Sequence, residues 1–181
     1  SGFWGQSPFV SLPKGQWKLI EKEYLSGNNS SHKGYLLESV VKDSAVPMLA
    51  IVWSVANSYW NKSFSVIPSN AEGINQYGTS TSSMLTTQSF YFKDFKLSNY
   101  QTSWLHQLKA IKALESRYQS QGFAISVTRN IRTKEDIRII SFIRKPTDTN
   151  DPISESSQRF FQAVERWNDS LVRMSYDSTY E

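Results

Sequence analysis

One segment limits the fold of this chain more than any other. From Met48 to Val55 the residues are almost all apolar and rich in Ile, Val and Ala. A strand with one wet face alternates apolar and polar side chains, whereas a run without alternation marks a strand covered on both faces. The longest apolar run, Pro47 to Ala56, is about half what a membrane-spanning helix requires, so no transmembrane helix is expected. The segment reads as the centre of a sheet. The rest of the chain must then cover both of its faces.

The neighbouring segments read as further strands. Trp17 to Leu25 carries apolar residues at Trp17, Leu19, Ile20, Tyr24 and Leu25 and stops at the turn signal Gly27-Asn28-Asn29. Tyr35 to Val41 is a second strand, followed by a turn at Lys42-Asp43-Ser44. Trp60, Phe64, Val66 and Ile67 suggest a short strand, while residues 68–87 are polar, contain glycine and show no period, which predicts a surface loop. Ser89 to Phe95 alternates aromatic residues as a strand does.

The period then changes. From Leu97 to Gln121, Trp104, Leu108, Ile111, Leu114 and Tyr118 recur at helical spacing, with Ser98 or Thr102 able to cap the start and Gly122 placed as a left-handed terminator. This face is expected to pack on the Met48–Val55 strand. Phe123, Ile125 and Val127, then Ile137, Ile139 and Ile143, alternate as the two arms of a hairpin closed by the polar stretch Asn130 to Glu135. After a linker from Pro146 to Pro152, Phe160, Val164, Trp167 and Leu171 mark a second amphipathic helix starting near Ser154. Strands grouped ahead of helices, in the order β-β-β-(β)-β-α-β-β-α, predict an α+β fold: a mainly antiparallel sheet with two helices packed on it. Whether the helices share a face is not legible from this pattern.

The 181 residues, 39% hydrophobic and 20% charged, fit one globular domain, with residues 1–14 as an extended lead-in. There is no cysteine, which excludes thiolate nucleophiles, disulfides and sulfur-ligated metals, and two histidines, His32 and His106, are too few for a histidine-rich metal site. No Gly-x-Ser-x-Gly, Walker loop, Gly-x-Gly-x-x-Gly or His-Glu-x-x-His occurs; the nearest hydrolase look-alike, Gly78-Thr79-Ser80-Thr81-Ser82, lacks the second glycine. No cofactor and no metal is expected. His106 lies one residue from the apolar stripe of its helix, and His32 falls in the turn from Asn29 to Gly34. Neither has an acid or nucleophile at recognisable spacing. The acidic pairs Glu21 with Glu23 and Glu135 with Asp136 read as solvated. Asn-x-Ser sequons stand at Asn28, Asn29, Asn61 and Asn168.

The strongest charged feature is the basic hairpin: Arg129, Arg132, Lys134, Arg138, Arg144 and Lys145, the candidate anion-binding residues. Arg138 and Arg144 should leave the same strand face, opposite Ile137, Ile139 and Ile143. Glu135 and Asp136 interrupt the cluster, no base-stacking aromatics are interleaved, and the net charge is only +4. A solvated face is the expectation, and nucleic acid is not an expected partner.

The sequence Leu12-Pro13-x-Gly15-x-Trp17, the strand ending Ala56-Asn57 with Trp60 soon after, the Trp104 helix and the late Arg166-Trp167 helix resemble a group of uncharacterised exported bacterial proteins. The resemblance spans most of the chain and implies export to the periplasm or cell envelope and a single domain; it carries no functional residue. The Ser, Asn and Thr content agrees with export, and the opening Ser1-Gly2 reads as an expression scar, which implies a trimmed native start, as removal of a signal peptide would leave. The expected function is a non-catalytic exported domain that binds a protein, an envelope component or a small ligand. The alternatives are a hydrolase or transferase with a site assembled from scattered Ser, His and acidic residues, and an anionic-surface or nucleic-acid binder working through the basic hairpin.

Overall fold

All the strand pairings are antiparallel. The computed structural model describes residues 12–26, 30–56, 67–77, 86–94, 108–118, 122–131, 135–146 and 153–180. Its elements follow the order β1 (Trp17–Ser26), β2 (Ser30–Ser39), β3 (Met48–Ala56), β4 (Glu72–Tyr77), β5 (Thr86–Phe92), α1 (Lys109–Tyr118), β6 (Phe123–Ile131), β7 (Glu135–Arg144) and α2 (Glu155–Tyr180). The strands form one seven-stranded sheet in the order β1-β2-β3-β7-β6-β5-β4. This is the expected α+β arrangement. The central strand is β7, the second arm of the hairpin, with the apolar β3 beside it.

The absence of alternation in β3 is explained by two cores. Met48, Ala50 and Val52 join Leu36, Phe90, Ile125, Ile140 and Phe142 on one face, where Leu108, Ala110 and Leu114 dock α1 onto the sheet. Leu49 and Ile51 join Leu37, Ala124, Ile139 and Ile143 on the other face, against Phe160 and Val164 of α2. The helices therefore lie on opposite faces. They also lie over opposite halves: α1 rests on β1 and β2, whereas α2 rests on β5 and β6 and reaches β4. Burying each large side chain in these layers contributes about 1.5–3 kcal/mol.

Helix starts follow local chemistry. Ser154 stands at the N-cap of α2, and its Oγ accepts the Ser157 N–H at 3.1 Å. The expected cap and first turns of the earlier helix, with Trp104 and His106, lie outside the described residues. Gly122 does not terminate that helix in a left-handed conformation, since the left-handed glycines among the described residues are Gly15 and Gly73. Gly34 has a packing role instead: a Cβ there would sit 3.1 Å from Leu108 Cδ1, so its bareness lets Leu108 settle onto β2.

Three strand expectations are corrected. β2 begins at Ser30, not Tyr35, and β5 runs from Thr86, not Ser89. β4 occupies part of the stretch expected to be loop, whereas Ile67 belongs to no strand and residues 57–66 lie outside the described residues. The reason is shared. These segments are polar, and their backbones are held by the ladder of a neighbour rather than by an apolar period of their own. β4 is an edge strand with a bulge between Glu72 and Asn75. Gly73 makes that bulge at φ 57°, and a Cβ there would fall 2.4 Å from the Tyr91 ring. Gly73→Ala is expected to lower the unfolding free energy by about 1–3 kcal/mol through left-handed strain plus overpacking. Chemical denaturation measures this, and a loss below about 0.5 kcal/mol would show that the bulge relaxes without cost.

Candidate functional site

The hairpin brings its cations to different places. Arg129 is 1% exposed. Arg138 is mostly buried beside it, the two facing each other across β6 and β7. Arg144 leaves the same face of β7 as Arg138, as its spacing implies, but at the far end and exposed, 3.9 Å from Asp43. Lys145 pairs with Asp94. Arg132 and Lys134 lie outside the described residues. The four described residues thus share no single surface, and each has an acidic neighbour.

Asp136 reverses the solvated reading of its acidic pair. It is fully buried, and its Oδ2 accepts from Arg129 Nη2 at 2.9 Å and from Arg138 Nε and Nη2 at 2.9 and 2.7 Å. Burial alone would raise its carboxyl pKa, but the Arg138 and Arg129 guanidiniums outweigh that and hold it below the usual carboxylate range. Burial pulls Arg129 down to about 10, against the opposing pull of Asp136. Gln88 Oε1 accepts from Arg129 Nη1 at 3.4 Å.

Next to this cluster a cross-strand row sets His32 opposite Ser54 and Ser54 opposite Asp136. His32 is not in a turn: it sits within β2, 8% exposed. Three residue types of a hydrolase triad are therefore neighbours, yet the row lacks a nucleophile–base bond. Ser54 Oγ is buried with no hydrogen-bond partner among the described residues, and Asp136 is committed to two guanidiniums. Burial, reinforced by the charge of Arg138, lowers the His32 pKa to about 4 from its usual 6.5. The folded protein thus resists a proton that the unfolded chain accepts. The stability contributed by His32 is fully present above pH 6.5 and is lost as pH falls toward 4, amounting to about 2–3 kcal/mol. Urea unfolding from pH 7.5 down to 4.5 is expected to show this decline and His32→Gln to flatten it; equal slopes in both proteins would contradict the assignment.

A second buried polar group fixes α2 to the opposite face. Asn168 Oδ1 accepts from Ser126 Oγ at 2.7 Å, and its Nδ2 donates to Ser89 Oγ at 3.0 Å and to the Gly73 carbonyl at 3.4 Å. Asn75 donates to Asp169, and Tyr91 donates to Glu165. Burial and that bond push the Tyr91 hydroxyl pKa up. Asn168, a sequon asparagine, has its amide fully engaged in the protein interior. Asn28, Asn29 and Asn61 lie outside the described residues.

The surface offers a different convergence. The sequence Lys-x-Tyr occurs at Lys22-Glu23-Tyr24 and again at Lys33-Gly34-Tyr35, on neighbouring antiparallel strands. The register sets Lys22 opposite Tyr35 and Tyr24 opposite Lys33, with Trp53 of β3 next beyond Lys33. These side chains leave the same sheet face as α2, whose main contacts lie with β4, β5 and β6. Tyr24 is 56% exposed, Lys22 is exposed, and Lys33, Tyr35 and Trp53 are half-buried. Lys33 Nζ stands 5.0 Å from the Trp53 ring centroid and 5.9 Å from that of Tyr24, a charge held between two ring faces. With Glu23 and Lys109 at the sheet edge, these tyrosines and lysines line a groove of about 470 Å³. Lys109 pairs with Glu23 at 3.3 Å, while Lys22 and Lys33 have no acidic partner among the described residues. The repeated tripeptide is the sequence signal that could have pointed to this site. It acquires meaning only once the two copies are known to be antiparallel neighbours.

No protein-family model matches the sequence, no curated protein aligns with it significantly, and no solved structure is significantly similar to it.

Proposed function

We propose that this protein is a non-catalytic binding domain that takes its ligand in the groove of β1 and β2. The observation that carries the reading is the Lys33 ammonium fixed between Tyr24 and Trp53 at the surface of β1, β2 and β3. Ring faces, phenols and ammoniums converge there at the surface, the mixture that orients and holds a ligand. The acid–base groups that catalysis would need are instead buried and committed: Asp136 to two guanidiniums, and Ser54 out of reach of solvent. An exported setting, with an envelope component as ligand, is the context that the Ser, Asn and Thr content supports.

The test is a binding screen over glycans, peptides and polyanions, run with the wild type and with Tyr24→Ala. Tyr24 is exposed, so the substitution leaves the cores intact. Ligands retained by the wild type are expected to be lost by the variant. A ligand bound equally by both proteins, or turnover that disappears in Ser54→Ala, would replace this reading.

A further inference from the structure

We infer that the groove recognises an acidic saccharide, a chain of sugar rings bearing carboxylates; this rests on the binding role proposed above. The first argument is charge. Lys22 and Lys33 present two ammoniums without acidic partners among the described residues, so the complementary ligand is anionic. The second is the alternation of charge and ring. Residues directly opposite on antiparallel strands have Cβ atoms about 5 Å apart. The register sets Lys22 opposite Tyr35 and Tyr24 opposite Lys33, so ring and ammonium residues alternate in opposite sense on the two strands, and Lys33 Nζ lies over the Tyr24 ring. A carboxylated sugar carries a flat, C–H-lined face and an anion on one ring, within a similar distance. Two successive sugars fit the two pairs, each face against a tyrosine and each carboxylate against a lysine. The Trp53 ring behind Lys33 widens the platform.

The third argument is magnitude. Duplex and single-stranded nucleic acids are held by many phosphate contacts, typically six to ten in a firm duplex complex, whereas about two unmatched lysines stand here. Two charge-assisted contacts suit a short acidic saccharide in which two successive sugars each present one carboxylate. The exposed Tyr24 hydroxyl adds a donor for a sugar hydroxyl.

The experiment titrates the intact protein calorimetrically with an oligogalacturonate, a neutral gluco-oligosaccharide of the same length and single-stranded oligo-dT. Micromolar to low-millimolar binding of the oligogalacturonate is expected, weakened at least tenfold by Tyr24→Ala and by Lys33→Met and at least threefold by 0.3 M salt, with the neutral sugar bound at least tenfold more weakly. The amide chemical shifts of the buried strands β3 and β6 in the free proteins verify that each variant stays folded. If the neutral sugar or oligo-dT binds better, and that binding needs Tyr24, the acidic-saccharide assignment falls and the groove as a binding site stands. Oligogalacturonate binding unchanged by Tyr24→Ala and Lys33→Met overturns both. No binding of oligogalacturonate at millimolar concentration overturns the saccharide alone, and the binding screen then decides the groove.

Discussion

Asp136→Asn is expected to destabilise the protein by about 3–5 kcal/mol at neutral pH. The substitution keeps the shape of the side chain and removes its charge. Arg129, 1% exposed, then remains a buried cation without its counter-ion. Restoring solvation to a guanidinium in that position requires opening the sheet, which is why breaking a buried pair costs more than the pair contributes over an apolar substitute. The same argument makes a second measurement informative. Replacing Arg129 with Met in the Asp136→Asn background removes the uncompensated charge, and a large part of the stability is expected to return. Urea unfolding of the two single variants and the double variant closes the cycle. A loss below about 1 kcal/mol for Asp136→Asn would mean that Arg129 and Arg138 find other acceptors, and the cluster would not be the electrostatic anchor of β6 and β7.

Leu108→Ala is expected to cost about 2–5 kcal/mol. Leu108 is completely buried and stands at the start of α1, where it meets the bare backbone of Gly34 on β2 and belongs to the core of Met48, Ala50 and Val52. The space it leaves is bounded by a sheet that cannot collapse toward a helix held farther along by Leu114, so the cavity persists. Lys112→Ala, on the exposed side of the same helix, is the control. A thermal midpoint shifted no more by Leu108→Ala than by Lys112→Ala would show that α1 is not anchored to β2 through this residue.

How the chain was legible depends on which interactions are local. The run from Met48 to Val55 demanded two covered faces, and two cores are found. The alternation of the hairpin and the cap at Ser154 are likewise local, so strands β6 and β7 and the start of α2 lie close to where their residues place them. Side-chain alternation and N–H capping act within a few residues, and a sequence displays them directly.

The candidate site was not legible in the same way. Asp136 reads as solvated because the two arginines that fix it are assigned by the β6–β7 register and by burial, neither of which local pattern encodes. Thr87 reads as a loop residue, yet it is buried on β5 with Gln88 and Ser89, and Ser89 finds its partner Asn168 on a helix 79 residues away. The two Lys-x-Tyr tripeptides become a lattice of rings and charges only when β1 and β2 pair with Lys22 opposite Tyr35. By itself, then, the sequence determined the antiparallel sheet, its doubly covered interior strand and the presence of two amphipathic helices, because periodicity is a property of neighbouring residues. Only the tertiary structure decided which polar groups are withdrawn from water and which rings and ammoniums face it together, because desolvation and cross-strand register depend on residues distant in the chain.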